Sequence, residues 1–199
     1  MKRSAERWAL WGRSPAEVEH ANLRDLEADG LPVPHPLGWD VRRERLARCS
    51  VVAMERIEHT QTLRDRLFRA PEGERRDLAE RLLTLVVRLH AAGWYHRDLY
   101  LQHLVLREEE LVLLDVGRAR RDRAPRRRWF VKDLAALLHS TPRNVSVRAR
   151  LEFLARYLDA RGITRRAERR AWLAAILRRA ERTARHTPRH GETRPWEDL

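Results

Sequence analysis

The chain has 199 residues, of which 43% are hydrophobic and 36% are charged, and its formal net charge is +13. This composition is typical of a folded protein with a charged surface, and it excludes a largely disordered chain. The single cysteine, Cys49, excludes an internal disulfide, and the absence of a zinc-type Cys/His spacing favours a reducing, cytoplasmic setting. No apolar run approaches the roughly 20 residues of a membrane span.

The first predicted helix covers residues 15–28. Ser14 can cap its N-terminus, Pro15 suits the first helical position, and Gly30 can end it in the left-handed conformation. Residues 31–36 contain three prolines and therefore predict an extended connector. The apolar patterns that follow predict two strands, at residues 38–42 and 50–57.

The second half of the chain is predicted to be mainly helical. A short helix at 62–69 precedes a long helix at 72–92, whose leucines and valine form an apolar stripe. Two short apolar runs at 103–106 and 110–114, separated by a charged turn, predict a hairpin. Further helices are predicted at 131–139, 146–160 and 165–185, and the tail from residue 187 is predicted to be frayed.

Two short motifs flank the predicted hairpin. His96-Arg97-Asp98 directly follows the long helix, and Asp115-Val116-Gly117 ends the second strand, 17 residues after Asp98. Phosphoryl transfer needs one carboxylate that orients and deprotonates the acceptor hydroxyl and a second that holds Mg²⁺ on the nucleotide phosphates. Because a rigid hairpin would fix the distance between two such carboxylates, this combination indicates a kinase catalytic loop followed by a metal loop.

The segment from His96 to Leu106 resembles the catalytic loop of the lipopolysaccharide core kinase family, which phosphorylates heptose or Kdo sugars. Tyr100 and His103 match residue types typical of that family, which has His where most kinases have Asn. Arg128-Trp129, residues 132–135 and residues 150–157 also resemble the family. The resemblance covers about residues 17–157.

The resemblance implies an α+β, protein-kinase-like fold. Residues 1–57 would form a truncated N-lobe with one sheet and one helix, and residues 58–199 would form a mainly helical C-lobe that carries the catalytic and metal loops. Only Met1 precedes Lys2, so the glycine-rich loop that covers the nucleotide in kinases is missing from this sequence.

Roles in the C-lobe follow from the same resemblance. Asp98 would be the catalytic base, and His96 and Arg97 would belong to its motif. Asp115 would hold Mg²⁺. His103 takes the second metal position, although imidazole is a poorer Mg²⁺ ligand than an oxygen donor and would serve equally as a hydrogen-bond partner of Asp98 or a phosphate. Asp133 would accept hydrogen bonds from the catalytic-loop backbone and brace it.

Roles in the N-lobe concern ATP. Lys2 would grip the α- and β-phosphates, paired with Glu19 on the first helix. An ammonium at a tight phosphate site is not replaceable by a guanidinium, so a lysine in a chain with 40 arginines is informative. Residues 54–57 would form the hinge between the lobes, where the Glu55 side chain would contact the ribose.

The sequence therefore predicts an ATP- and Mg²⁺-dependent kinase that phosphorylates a sugar of the lipopolysaccharide inner core. Its substrate would be the core glycolipid, met in the cytoplasm and at the surface of the inner membrane. Two alternatives stay open: a kinase-fold pseudokinase or regulatory binding protein, and a protein- or tRNA-associated kinase. The basic charge also suits nucleic acid, but a nucleic-acid module would leave the spacing of Asp98 and Asp115 without a reason.

Overall fold

The computed structural model describes residues 2–5, 12–44, 47–58 and 61–185. These residues form helices and three small antiparallel sheets, which is the mixture of elements that the sequence predicts. The tail from residue 187, predicted to be frayed, lies outside the described residues. Within the described part of the chain, no helix is long and apolar enough to cross a membrane.

The first sheet has three strands. The central strand β3 (Ala47–Met54) pairs antiparallel with β1 (Lys2–Ala5) on one side and with β2 (Pro36–Glu44) on the other. Strand β2 is longer than predicted and β3 begins earlier, because pairing across the hairpin continues through polar residues that carry no apolar pattern. Strand β3 also ends at Met54 instead of residue 57.

Helix α1 (Pro15–Ala28) packs against this sheet. As predicted, the Ser14 hydroxyl accepts a hydrogen bond from the Glu17 backbone N–H (3.1 Å), and Gly30 ends the helix region with a φ of +69°. The apolar face of α1 buries Leu23 and Leu26 in the core. The helix is thereby held rigidly, and its other buried positions can carry polar groups.

Two helices lead to the predicted catalytic loop. Helix α2 (Leu63–Arg69) has a capping box between Thr62 and Asp65, and helix α3 (Glu72–Ala91) buries the predicted apolar stripe. Gly93 then turns the chain with a φ of +83°. A Cβ at this position would lie 2.6 Å from the Asp122 carbonyl oxygen, so the turn requires glycine.

The predicted hairpin is confirmed as β5 (Leu104–Arg107) and β6 (Glu110–Leu113). It is tied to the first half of the chain, since the Leu113 N–H donates to the Pro32 carbonyl (2.8 Å). A further pair, β4 (Trp94–Tyr95) with β7 (Arg120–Arg121), was not predicted, because two residues are too short for a periodic signal.

Three helices complete the described structure: α4 (Arg127–Ser140), α5 (Val147–Ala160) and α6 (Arg166–Arg185). Helix α4 begins four residues before the predicted start at 131, because Arg127 and Arg128 at its start give no apolar signal. It packs on α6, where Trp172 and Ile176 are buried. The basic helix α6 thus has a packed apolar side as well as a charged one.

Candidate active site

The loop after β4 is braced by the carboxylate of Asp133. Asp133 lies fully buried in α4, and its two oxygens accept hydrogen bonds from the backbone N–H groups of His96 and Arg97, both at 2.7 Å. Arg97 has a φ of +72°, which is unusual for a residue with a side chain. The two hydrogen bonds hold this turn, as the bracing role predicted for Asp133 requires.

Beneath Asp133 lies a buried network that the sequence interpretation missed. His90 Nδ1 is 2.7 Å from the Tyr157 hydroxyl, and its Nε2 is 3.4 Å from Asp133 Oδ2. Burial lowers the pKa of His90, although the Asp133 carboxylate opposes this, and burial raises the pKa of Tyr157. A neutral His90 therefore supports the brace. The sequence signal for this network was the position of His90 at the end of the apolar stripe of α3.

His96 links the loop to the end of β6. Its Nε2 lies 3.0 Å from the Leu114 carbonyl oxygen, which can only accept, so Nε2 carries the proton. Burial lowers the pKa of His96. The uncharged His96 side chain therefore connects the loop to the residue before Asp115. It faces the protein interior instead of the cleft.

Asp98 is held by two cations that the sequence interpretation did not assign. Arg118 Nη1 lies 2.9 Å from Asp98 Oδ2, and Lys132 Nζ lies 3.4 Å from Oδ1. The Asp98 and Lys132 side chains are each 18% exposed, whereas Arg118 is 59% exposed. Burial lowers the pKa of Lys132, and Asp98 opposes that shift. Lys132 could have been noticed as one of only two lysines in the chain.

His103 connects the two predicted carboxylates. Its Nδ1 lies 2.9 Å from the Asp98 backbone carbonyl, so Nδ1 donates, and Nε2 faces Asp115. Nε2 and Asp115 Oδ2 are 3.9 Å apart, too far for a hydrogen bond. Asp115 adopts the left-handed conformation (φ +56°) directly after the hairpin and is 46% exposed.

Asp115 suits Mg²⁺ carried by a nucleotide. Mg²⁺ is usually bound through one or two carboxylates together with substrate phosphates and water. Among the residues that the structure describes, no cluster of three or more Asp, Glu, His or Cys could form a complete metal cage. One accessible carboxylate fits a metal that arrives with its phosphates, whereas the imidazole of His103 fits this ion poorly.

Helix α1 reaches the same loop from the opposite side. The Asn22 amide donates to the carbonyl oxygens of Val116 (2.8 Å) and Ala119 (3.1 Å). The buried Glu19 carboxylate lies beside Gly117, where a Cβ would be 3.5 Å from Glu19 Oε2. The sequence predicts that Glu19 pairs with Lys2, and this pairing stays a prediction. Asn22 was not predicted, and its signal is a polar residue on the buried face of a helix.

The other predicted nucleotide-binding residues, Lys2 and Glu55, belong to the first sheet and its end. Lys2 occupies β1 opposite Val52, and its side chain, including the predicted pairing with Glu19, lies outside what the structure describes. Glu55 follows β3, where its backbone N–H donates to the His35 carbonyl (2.8 Å) and its carboxylate lies 3.6 Å from Arg107. The structure places Glu55 directly after β3, and both the hinge between lobes and the ribose contact stay predictions.

The Arg-Trp segment packs directly on the catalytic loop. Trp129 stacks on Tyr95, with ring centroids 5.2 Å apart, and the guanidinium groups of Arg97 and Arg128 lie over its ring at 5.1 and 4.5 Å. Arg97 is thus held by an aromatic face through a cation–π contact. This contact explains why a tryptophan so far along the chain belongs with the loop.

Comparisons with known proteins agree with this geometry. The chain is 32% identical over 136 residues to a 3-deoxy-D-manno-octulosonic acid kinase of Xanthomonas campestris pv. campestris (strain B100), covering 67% of this chain and 52% of the relative. It is 32% identical over 133 residues to the lipopolysaccharide core heptose(I) kinase WaaP of Pseudomonas aeruginosa PAO1, covering 61% and 49%. The chain spans about half the length of the curated relatives it matches.

A solved structure and a family model extend the likeness. The structure described as WaaP in complex with acyl carrier protein matches with a TM-score of 0.64 and 27% identity, covering 84% of this chain and 76% of that one. The predicted α+β, protein-kinase-like fold is thereby confirmed. The model of the lipopolysaccharide kinase (Kdo/WaaP) family matches residues 1–157, which is most of the chain. The protein therefore belongs to the lipopolysaccharide kinase (Kdo/WaaP) family.

Proposed function

We propose that this chain carries the catalytic site of an ATP-dependent kinase that phosphorylates a hydroxyl of a heptose or Kdo sugar in the lipopolysaccharide inner core. One observation carries the proposal. Asp98 stands on a loop braced by Asp133, and His103 bridges from its backbone to the side of Asp115. Asp98 and Asp115 would then supply the base and the metal-binding carboxylate that phosphoryl transfer needs.

The roles of the residues follow from their positions. Asp98 would orient the acceptor hydroxyl and take its proton. Asp115 would hold Mg²⁺, which when bound neutralises charge on the nucleotide phosphates. His103 would keep the backbone carbonyl of Asp98 in place and border the metal position. His96 and Arg97 would shape the loop through the hydrogen bond to Leu114 and the stack on Trp129.

The nucleotide would lie between the sheet and the hairpin. Lys2 would contact the α- and β-phosphates, Glu19 would orient it from α1, and Glu55 would meet the ribose. The position of Glu19 beside Gly117 supports this arrangement, because α1 would then lie next to both the phosphates and the metal loop. We propose an N-lobe of residues 1–57 and a C-lobe of 58–199 on either side of the cleft.

The first test is Mg²⁺-dependent transfer of labelled phosphate from ATP to purified, dephosphorylated lipopolysaccharide core. Asp98→Ala should lose transfer by about 10³-fold or more, as expected for a base that also orients the nucleophile. Asp77→Ala, an exposed carboxylate on α3, is the matched control. Equal transfer by wild type and Asp98→Ala would refute the proposal. Nucleotide binding without transfer would instead favour the protein- or tRNA-associated kinase, and absence of nucleotide binding would favour the pseudokinase.

The proposed acceptor would bring the protein to a membrane surface. The net charge of +13 favours approach to anionic glycolipid, and arginines on α6 remain exposed beside its packed side. We therefore propose a cytoplasmic protein that binds peripherally to the inner membrane. Flotation with vesicles containing anionic lipid, compared with zwitterionic vesicles at 0.05 and 0.5 M salt, tests this. Binding that ignores both lipid charge and salt would contradict it.

An acyl carrier protein is a proposed partner, because the solved relative is described in complex with one. A cavity of about 180 Å³ between α3, α4 and α5 supports this, since Leu83, Leu137 and Phe153 line it. Its lining also includes arginines and glutamates, among them Arg156 paired with Glu80, so the support comes from the apolar lining, which suits an acyl chain. Pull-down with acylated and unacylated carrier, using Leu137→Trp to fill the cavity, would test the contact.

A further inference from the structure

The catalytic loop itself provides no cation after Arg97. From Asp98 to Leu106 the sequence contains no lysine or arginine, and Arg97 is turned onto Trp129. Phosphoryl transfer spreads negative charge over the equatorial oxygens of the transferred group, and preorganised positive groups stabilise it. If the proposed kinase reaction occurs here, a positive side chain must reach the base and the phosphoryl group from another element.

Helix α4 provides a positive side chain that reaches the proposed base, Asp98. Asp133 binds the loop backbone at 2.7 Å, and the preceding residue, Lys132, extends to Asp98 with Nζ 3.4 Å from Oδ1. The brace and the ammonium therefore come from adjacent residues of one rigid helix. A shift of α4 large enough to remove Lys132 from Asp98 would also break both hydrogen bonds of the brace.

Arg118 is a different kind of partner. It lies in the short turn that follows Asp115, its side chain is 59% exposed, and its Nη1 approaches both Asp98 oxygens, at 2.9 and 3.2 Å. An exposed arginine pair contributes little net energy and is screened by salt. The acceptor hydroxyl needs one Asp98 oxygen, and the exposed guanidinium is the partner that can release it. The mostly buried Lys132 can remain on the other oxygen.

The residue type strengthens the assignment. The chain has two lysines among 42 basic residues. A compact ammonium with three donors can hold a carboxylate oxygen and a phosphoryl oxygen together, whereas a planar guanidinium is longer and prefers paired acceptors. We propose, as an extension of the proposed kinase function, that Lys132 is a catalytic residue whose ammonium contacts Asp98 and an oxygen of the transferred phosphoryl group.

Lys132 would act while the phosphoryl group passes from ATP to the acceptor. The acceptor oxygen attacks the γ-phosphorus, a new O–P bond forms, and the bond from that phosphorus to the β,γ-bridging oxygen breaks. ADP leaves with the electron pair, and Asp98 receives the acceptor proton. Lys132 keeps its own proton throughout and donates hydrogen bonds, so its contribution is electrostatic and is largest while the phosphoryl group is between the two oxygens.

The first experiment measures binding of a transition-state mimic, which needs no acceptor. Calorimetry would compare the affinity for MgADP with that for MgADP plus aluminium fluoride in wild type, Lys132→Met, Lys132→Arg and the control Arg24→Met, an exposed arginine on α1 that pairs with Asp25. We expect the MgADP affinity of Lys132→Met to stay within about threefold of wild type. The increase in affinity that aluminium fluoride produces should be about 100-fold smaller in this variant than in wild type. Lys132→Arg should recover less than a tenth of that gain.

The second experiment measures phosphate transfer by the same variants. We expect Lys132→Met to lower kcat about 100-fold with KM for ATP changed less than threefold. A kcat within threefold of wild type, or a lower kcat without loss of the aluminium fluoride gain, would overturn the phosphoryl contact. Melting temperatures equal to wild type within about 2 °C separate either result from misfolding.

The two proposals fail in different ways. Transfer that is lost in Asp98→Ala but intact in Lys132→Met refutes the role of Lys132 alone. If no phosphate is transferred to the sugar acceptor but aluminium fluoride still raises MgADP affinity in a way that depends on Lys132, only the proposed acceptor is refuted. A wild-type chain that does not bind MgADP refutes both.

Discussion

At the scale of single residues, the site depends on the Asp133 carboxylate, both of whose oxygens accept hydrogen bonds. Asp133 uses each oxygen for one backbone N–H of the catalytic loop, and it does so where water has no access. A buried N–H without a partner costs about 1–3 kcal/mol, so the brace is sensitive to the loss of even one acceptor. The geometry of Asp98 therefore depends on a residue 35 positions later in the sequence.

Asp133→Asn replaces one acceptor oxygen by an NH₂ group. We expect the free energy of unfolding to fall by about 2–3 kcal/mol, because one loop N–H then faces a donor. Urea denaturation measures this loss. Asp77→Asn, which makes the same change on the exposed side of α3, should shift stability by less than about 0.5 kcal/mol. Equal effects of the two substitutions would show that Asp133 does not brace the loop.

At the scale of elements, the site is placed by the points where helices end and meet loops. Helix α3 ends at Ala91, and Gly93 then turns the chain into β4 and the proposed catalytic loop. Helix α1 is attached to the proposed metal loop by the two hydrogen bonds of Asn22. The carboxylates are thus positioned by a turn and by a helix contact that lie outside the motifs themselves.

Gly93→Ala should destabilise the protein by at least about 2 kcal/mol. The added Cβ would meet the Asp122 carbonyl oxygen at 2.6 Å, and the φ of +83° is strained for alanine. Gly73→Ala is a matched control within α3, where a Cβ meets nothing within 4 Å, and it should stabilise by about 0.5–1 kcal/mol. Thermal denaturation of both variants tests the contrast in sign.

Asn22→Asp should detach α1 from the metal loop. Two carbonyl oxygens lose their donor and instead face a carboxylate, so we expect stability to fall by about 2–4 kcal/mol. MgADP affinity should also fall, because Glu19 lies on the same helix. Asn144→Asp, which removes an exposed amide donor to the Phe68 carbonyl, should cost less than about 1 kcal/mol. Undiminished MgADP affinity in Asn22→Asp would separate α1 from nucleotide binding.

At the scale of the whole molecule, stability is linked to pH through two buried histidines. Burial lowers the pKa of His90 and of His96, and both rings stand behind the catalytic loop. The carboxylate of Asp133 attracts a proton to each ring, whereas Arg161 disfavours a proton on His90, and desolvation is the largest effect on both. Each folded-state pKa therefore lies below the unfolded value of about 6.5.

The sign of the pH effect follows from these shifts. Below about pH 6.5 the unfolded chain binds more protons on the two histidines than the folded chain does, so stability falls as the pH falls. We expect the free energy of unfolding to fall by up to about 3 kcal/mol between pH 7.5 and 5.5 in urea titrations. Repeating them in 0.5 M salt controls for repulsion among surface charges, which salt screens. A free energy of unfolding that does not change over this pH range would contradict the lowered pKa values of the two buried histidines.

The sequence by itself determined the order of elements and the chemistry at their junctions. The cap at Ser14, the stripe of α3 and the hairpin were predictable, because each rests on contacts between residues close together in the chain. Family membership was predictable for the same reason, since Asp98, Tyr100 and His103 form one continuous motif. Lys2, Glu19 and Glu55 keep their predicted nucleotide roles as proposals.

The tertiary structure alone decided which distant residues meet. Lys132 reaches Asp98 across 34 positions, Asn22 reaches Val116 across 94, and His90 reaches Tyr157 across 67. No periodic pattern records such pairs, because each depends on how a helix rotates and packs once the core has formed. The short β4–β7 pair and the early start of α4 are decided in the same way, by neighbours that only the folded chain provides.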